Sequence, residues 1–522
     1  MTEQEIRALV AEVLCLRNTV QYQEEENELI SSGAVLNSQV GRADIHERVA
    51  ELRAMAPGYL LLQTDLETGS YFAPDGTAVP PQMALGAADD EQLAFDWGYA
   101  VGLEGRRLGV DVTWSPVLDV NTNPDNPIVN VRSFGENVEQ VGRLGAAVVR
   151  GMIRAGMHPC AKHWPGHGDV AVDSHISLPT VECSRQHLET VEWPPYLVAR
   201  QAGLESVMTG HLLLPAVDPD NCATVSHKLI TGILREQQGY DGVIFTDSLG
   251  MEGLRLTIDS AQAAWMAIAA GHDQVLIDYK RPPGESVEAV VAACMDGRVP
   301  ESRLREAAAR VRDLKTRRLQ APALPPGDEI RRVLQNMGSR LAEASVTLAG
   351  DLPAGGIELG DRPLLVICDD PVRHGKGLAD EHEGETLAGV HPLTGPVCDR
   401  PGWSAIVCDE NTTPEDLARV RERVSSATAI LGATFAHITS YKGEGVRLPR
   451  TQAAMWRELA ASGKLRAMML FESPYALSDL PGSVPVVIGY GGDPFSLRAV
   501  AEAILGKRAC PGNLPVTVQR GS

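Results

Sequence analysis

No stretch of this 522-residue chain approaches the run of about 18 apolar residues that a membrane-crossing helix needs, so no transmembrane segment is expected. The amino terminus, MTEQEIRALVAEVLCLRNTV, lacks both a basic n-region and a continuous apolar h-region, so no signal peptide is expected either. None of the nine cysteines forms a C-x-x-C pair, the count is odd, and Cys160, Cys368 and Cys408 sit inside apolar runs. That usage argues against a disulfide framework. It reads as reduced, buried thiols in a reducing compartment, which makes a cytoplasmic location the expectation. Basic runs interleaved with aromatics are missing, and the net charge is −21. Nucleic acid and an anionic membrane surface are therefore excluded as partners. There is no solenoid repeat and no low-complexity tract.

What is present describes an ordinary globular protein, 44% hydrophobic and 22% charged, too long for a single core. From about residue 58 to 320, apolar runs alternate with amphipathic segments. The runs are 59–62, 110–120, 158–162, 206–209, 243–246 and 274–277; the segments include 90–108, 138–155, 185–202, 227–238 and 260–270. This alternation predicts a parallel sheet closed into a (β/α)8-type barrel over 1–320. Asp65, Asp119, Lys162-His163, His211, Asp247 and Asp278 each follow an apolar run. Polar residues at the carboxyl ends of many strands mark the active-site face of a barrel rather than an open sheet.

The Pro-rich stretch from Ala321 to Gly327 opens a linker over 321–340. Five further apolar runs (364–367, 405–407, 429–432, 467–471 and 484–488) predict a smaller α/β sandwich over 341–522. No G-x-G-x-x-G opens a helix there, so no nucleotide is expected. The first thirty residues fit this scheme poorly. Glu24-Glu25-Glu26 reads as a solvated helix, and the first barrel strand is expected to be altered or missing.

The densest chemistry lies in Lys162-His163-Trp164-Pro165-Gly166-His167-Gly168-Asp169, followed by Asp173-Ser174-His175. The segment has no apolar period and several turn residues, so it is a ligand-facing loop rather than core. Asp173 and His175 are spaced so that the carboxylate accepts from one imidazole nitrogen and leaves the other facing a substrate. A second signal is Phe245-Thr246-Asp247-Ser248-Leu249-Gly250-Met251, where a buried strand delivers Asp247 to the sheet edge. A carboxylate placed there has the chemistry of a nucleophile towards an anomeric carbon, although the same residue also suits a helix cap. His163 and His167 have H-x-x-x-H spacing, but Pro165 and Gly166 forbid a helix between them. No metal and no cofactor are expected.

These motifs resemble glycoside hydrolase family 3, and within it the NagZ-type β-N-acetylglucosaminidases. The resemblance is carried by SPVLDVN at 115–121, NPDNP at 123–127, RSFG at 132–135, KHWPGHGD with DSH, MTGH at 208–211 and FTDSLGM at 245–251. Pro474-Tyr475 through Val516 is similar to the family's carboxyl-terminal domain. The resemblance implies Asp247 as nucleophile, His175 as acid/base with Asp173 as its partner, and Arg132, Lys162 and His163 as holders of the sugar hydroxyls. Asp65 takes the family's sugar-binding aspartate position, and His211 is a candidate pocket residue. The implied substrate is a small-molecule carbohydrate, a terminal β-linked GlcNAc on a fragment such as a cell-wall muropeptide, as in peptidoglycan recycling. Hydrolysis would then proceed with retention through a glycosyl-Asp247 intermediate. A histidine has an unperturbed pKa of about 6.5, near working pH, and leaves the site less negative than a second carboxylate would.

Two departures leave alternatives open. The family's Asp-Gln-Glu-Gly-Gly segment reads Asp65-Leu66-Glu67-Thr68-Gly69 here, with Ser70-Tyr71-Phe72 in place of the usual basic residue. In addition, Gly443-Glu444-Gly445 matches the context from which the β-glucosidase branch draws its acid/base glutamate. The second keeps a β-glucosidase using Glu444 open; the less negative histidine site, which tolerates phosphate as acceptor, keeps a β-N-acetylglucosaminide phosphorylase open; and a catalytically silent sugar-binding protein is a further alternative, against which the intact Asp247, Asp173 and His175 argue. His158 and His272 read as structural residues, His167 as a loop-shaping one and Asp278 as a turn cap.

Overall fold

The computed structural model describes residues 1–17, 22–29, 33–35, 45–73, 75–353, 356–370, 391–398, 402–438 and 447–520. The described residues divide into two compact units, one within Met1–Ala78 and Asp90–Met337, the other within Val79–Asp89, Gly338–Thr439 and Glu444–Ser522.

In the first unit nine short parallel strands occupy eight positions. They are β1 (Leu14–Cys15), β2 (Gly33–Val35), β3 (Leu61–Thr64), β4 (Val112–Thr113), β5 (His158–Pro159), β6 (Ala161–Trp164), β7 (Ser206–Thr209), β8 (Val243–Thr246) and β9 (Val275–Leu276). Pairing runs β2-β3-β4-β5 and β6-β7-β8, with β5 and β6 forming one position interrupted at Cys160. The amide of Thr246 donates to Gln274 O at 3.1 Å, linking β8 to β9, and Leu14 pairs in parallel with Val275. The sheet is thus the expected barrel, and its first strand is present. The sequence does not betray this strand because two residues at the end of a helix carry no period of their own. That helix, Glu3–Val13, starts at a Thr2–Glu5 capping box, and Glu12 accepts from Lys315 Nζ at 2.9 Å. A further correction concerns the acidic run at 24–26. It is helical, but Glu26 is buried and Glu25 accepts from the Gly284 amide at 3.0 Å.

Cys15, Leu61, Val112, Trp114, Cys160, Met208, Val243, Phe245 and Leu276 converge in one apolar cluster with Val311 and Leu314 of helix Glu301–Leu319. Side chains from most of the strands therefore fill the barrel rather than line a channel. At the amino ends of the strands two buried carboxylates knit neighbours together. Asp111 accepts from Tyr59 Oη at 2.7 Å, the Leu62 amide at 3.0 Å and Arg53 at 3.0 Å. Asp273 accepts from the Ile244 amide at 3.0 Å, Arg303 at 2.5 Å, Arg310 at 3.1 Å and Arg235. His158 donates to or accepts from Ser206 Oγ at 3.0 Å, and His272 meets Thr209 Oγ1 at 2.9 Å and Ala267 O at 3.1 Å. Burial holds both imidazoles down at about 3.

The extended stretch after Leu319 is shorter than the 321–340 read from sequence, because a helix already begins at Gly327 and runs to Ser345. The second unit holds a six-stranded sheet of β10 (Thr347–Ala349), β11 (Pro363–Asp369), β12 (Ser404–Asp409), β13 (Ala429–Ala436), β14 (Leu465–Glu472) and β15 (Val486–Gly489). Its order is β10-β15-β14-β13-β11-β12, parallel except for the edge strand β10. Leu365, Ile367, Leu431, Ala433, Ala467, Met469, Phe471 and Val487 supply its core. All nine cysteines are free thiols. Among the described residues no helix is long and apolar enough to cross a membrane.

Candidate active site

The polar residues expected at the carboxyl ends of the barrel strands do gather there, within the first unit. Asp65 follows β3, Lys162 and His163 lie on β6, His211 follows β7, and Asp247 follows β8 directly. Arg132 arrives from a short turn, Asn130–Arg132. That turn is held by Asn121 Oδ1 accepting from the Asn130 amide at 3.1 Å. Asn126 binds it to the Lys162–Asp169 loop, with Nδ2 donating to His167 O at 2.8 Å and Gly168 O at 3.0 Å. The Asn-rich run at 121–126 is therefore scaffolding that fixes one loop against another. The Lys162-His163 and Trp164-Pro165 peptide bonds are cis.

One buried ionic network joins these elements. Glu67 takes Arg132 in a bidentate grip at 2.8 and 2.9 Å and lies 2.6 Å from Lys162 Nζ, which also pairs with Asp65. Burial opposes ionisation of Glu67, but Arg132 and Lys162 outweigh it and hold its carboxyl well below the usual range. Lys162 is raised for the reciprocal reason, with Asp65 and Glu67 overcoming its own burial. Beside this network Asp119 is fully buried. It accepts from His163 Nδ1 at 2.8 Å, and from the amides of His163 and His167 at 3.1 and 2.8 Å. A carboxylate on Nδ1 orients the ring so that Nε2 turns towards Arg132, 3.5 Å away.

Asp247 is the group with the chemistry of a nucleophile. Its Oδ1 accepts from the Ser248 amide at 2.7 Å. Burial pushes its carboxyl up, but His211, His163, Lys162 and that amide prevail and keep it below the ordinary value. His211 uses both ring nitrogens on the protein, with Nδ1 at 2.7 Å from Thr224 Oγ1 and Nε2 at 2.8 Å from Ser248 O. It braces the strand end that carries Asp247, and burial lowers its pKa against the pull of Asp247.

His175 sits on the loop after β6, one-fifth exposed, beside a buried Asp173. Asp173 Oδ1 meets both His175 Nδ1 and the His175 amide at 2.8 Å, which turns Nε2 away from the carboxylate. The loop lies over the segment following Asp247. A Cβ on Gly253 would fall 2.5 Å from Ser174 O, so only glycine admits this approach. His175, His163 and Asp247 all lie close enough to His211 to act on its charge. The structure thus brings Asp65, Arg132, Lys162, His163, His211 and Asp247 together, with the Asp173–His175 pair on the covering loop. An ionised carboxylate and an oriented imidazole beside clustered Lys and Arg donors suit displacement at a sugar carbon.

His167 lies at the base of this loop, Nε2 at 3.1 Å from Ser174 Oγ, and burial lowers it to about 4. Asp278 accepts from the Lys280 amide at 2.8 Å and pairs with Arg255 at 3.1 Å. Sequence reasoning missed the role of Glu67. Its signal was the i, i+2 spacing from Asp65 at a strand end, which turns both carboxylates to one side. Glu444 lies outside the described residues. Among the described residues no group of three or more His, Cys, Asp or Glu is arranged to hold a metal ion.

Residues 6–314 match the family described as the glycosyl hydrolase family 3 N terminal domain. β-Hexosaminidase A of Pseudoalteromonas piscicida is 28% identical over 85% of this chain and 80% of its own length. A β-N-acetylglucosaminidase/β-glucosidase of Cellulomonas fimi is 27% identical over 93% and 88%. The solved structure of a family 3 β-N-acetylglucosaminidase from a Paenibacillus species superposes with a TM-score of 0.85 at 30% identity, covering 99% of both chains. With the family's domain matched across its barrel and a relative of its fold matched end to end, the chain belongs to glycosyl hydrolase family 3 and is a glycoside hydrolase.

Proposed function

We propose that the protein is an exo-acting, retaining β-N-acetylhexosaminidase that removes terminal β-linked GlcNAc from small glycosides such as cell-wall fragments. The observation that carries this reading is the Asp173–His175 pair, held at 2.8 Å on the loop that covers the segment after Asp247. In the first step an Asp247 oxygen attacks C1, the C1–O glycosidic bond breaks, and His175 Nε2–H protonates the departing oxygen. In the second, neutral His175 takes a proton from water as its oxygen attacks C1, and the C1–Asp247 bond breaks. Configuration is inverted twice and so retained. Asp173 keeps Nδ1 engaged throughout and stabilises the imidazolium. Lys162, Arg132 and His163 donate to hydroxyls of the terminal sugar, with Asp65 accepting from them.

The named activities of the Pseudoalteromonas and Paenibacillus relatives support the hexosaminidase reading. The free thiols and the muropeptide-sized substrate class fit a cytoplasmic place in peptidoglycan recycling. The test is release of nitrophenol from aryl β-glycosides of GlcNAc, GalNAc and glucose, with and without phosphate, by wild type, His175→Ala and Glu444→Ala. GlcNAc turnover that collapses only in His175→Ala is the expected result. A phosphate-dependent sugar 1-phosphate would make the enzyme a phosphorylase. Glucose preference lost only in Glu444→Ala would make it a β-glucosidase.

A further inference from the structure

Glu192 lies behind the covering loop and has no part in the mechanism above. Residues Leu188–Glu192 form a π-helical turn, with the Trp193 amide donating to Leu188 O at 2.9 Å. Such wide turns re-aim a side chain and recur at functional sites. Here the carboxyl is 1% exposed, and neither of its oxygens accepts a hydrogen bond. A buried polar group left unsatisfied is costly, so its presence asks for a reason.

The reason lies in what it touches. Gly166, at φ +127°, is the turn between Lys162-His163 and Asp173-His175, and its amide donates to His163 O at 2.9 Å. Glu192 fills the space under that turn, so closely that a Cβ at 166 would fall 2.2 Å from its Oε2. The next residue, Trp193, stacks on Trp164 at the end of β6, ring centroids 6.3 Å apart and planes 15° from parallel. The ionisable groups facing Glu192 are His187 on its own segment, 3.5 Å away, Asp119 and Asp169 from the strand-end loops, and Cys183 and Tyr196, both pushed up chiefly by burial. Burial, together with Asp119 and Asp169 and against the pull of His187, raises Glu192 to about 7.

We propose that Glu192, as a neutral carboxylic acid, is a positioning residue for the glycosidase reaction: it props the 165–167 turn, which sets His163 and His175 around the sugar, and its ionisation withdraws that support. An ionised carboxyl under Gly166 is buried beside Asp119 and Asp169, with His187 at 3.5 Å set against those two carboxylates, so ionisation drives it from its place and loosens the turn. The residue acts through the loop and does not touch the reacting atoms.

The inference rests on the hydrolase reading, so its test has one arm that depends on turnover and one that does not. In the first, kcat against pH is measured on the nitrophenyl GlcNAc glycoside for wild type, Glu192→Gln and Glu192→Ala. Gln mimics the neutral acid. It is expected to stay within about threefold of wild type on the acid side and to move the alkaline limb up by at least about half a pH unit. Ala is expected to lower kcat about tenfold on the acid side, where the neutral acid props the turn, and to converge with wild type on the alkaline side, while remaining folded by thermal melt. In the second arm, tryptophan fluorescence is titrated. A transition near neutrality is expected in wild type and in His187→Gln, where Trp164 and Trp193 report the turn, and is expected to vanish in Glu192→Gln. Coincident kcat profiles for Gln and wild type, or a transition that persists in Glu192→Gln, would overturn the inference. Failure of wild type to cleave the glycoside would sink the hydrolase reading instead, with the fluorescence arm still deciding whether Glu192 governs the turn.

Discussion

The two ends of the barrel use the same groups for opposite purposes. At the amino ends of the strands Asp273 is surrounded by Arg235, Arg303 and Arg310 and also takes a backbone amide, so every charge is answered from within the protein. At the carboxyl ends Glu67 holds Arg132 and Lys162, while Asp65, also paired with Lys162, remains more than half exposed. One network closes on itself; the other presents aligned donors and an open acceptor to a ligand. Burying charge confers little net stability where a well-packed apolar group would serve, so the amino-end network is there to tie strands and helices in one arrangement. In the proposed reading the carboxyl-end network holds Arg132 and Lys162 oriented before any sugar arrives, which removes that reorganisation from the binding step.

Chemistry can be removed at one end of the barrel without touching the other. Asp247→Ala is expected to lower kcat by about 10⁴-fold or more, with the melting temperature held or raised. Steady-state kinetics alongside calorimetry would show it. His175→Ala should cost about 10²–10⁴-fold, and more on a disaccharide than on a nitrophenyl glycoside, whose leaving group needs little protonation. Equal losses on both substrates would remove the acid role. At the other end, Asp273→Asn leaves three arginines without their carboxylate. It should lose about 3–5 kcal/mol in urea unfolding while kcat and KM hold. A fall in kcat at unchanged stability would abolish the distinction between the ends. Glu67→Gln should touch both properties more mildly, raising KM about tenfold and destabilising by about 1–3 kcal/mol, as Arg132 and Lys162 lose their shared partner.

The smallest effect concerns pH. His158 and His272 are held near 3 by burial, so both are neutral in the fold at a pH where the unfolded chain protonates them. The unfolded state then binds more protons, and stability falls as pH drops from about 6.5 towards 3, by about 1.4 kcal/mol per unit for each histidine. Above 6.5 their contribution is fully present. Urea unfolding at pH 7 and pH 5 should show a shallower dependence in His158→Gln than in wild type.

Much of the site was legible because its residues are local in sequence. Asp173 and His175 are two positions apart, Lys162 and His163 are adjacent, and Asp247 ends a strand that announces itself by four buried apolar or β-branched residues. The alternation of runs and helices likewise disclosed the barrel, since each amphipathic helix carries its own period. What stayed hidden depends on distant partners or on elements too short to have a pattern. β1 and β10 have two and three residues, and only their neighbours, β9 and β15, make them strands. Glu67 looked like one more polar loop residue until Arg132 and Lys162 came to it. Glu192 reads as the polar face of a helix, and only the π-helical turn directs it inward under Gly166.

The pairing of Leu14 with Val275 has a consequence in time. During synthesis β9 follows β1 only after roughly 10–50 s of elongation at about 5–20 residues per second. Until then Cys15 and the apolar face of the Glu3–Val13 helix have nowhere to go, and the sheet presents two unpaired edges. The nascent chain therefore passes through a long interval in which its most adhesive surfaces are open to other chains.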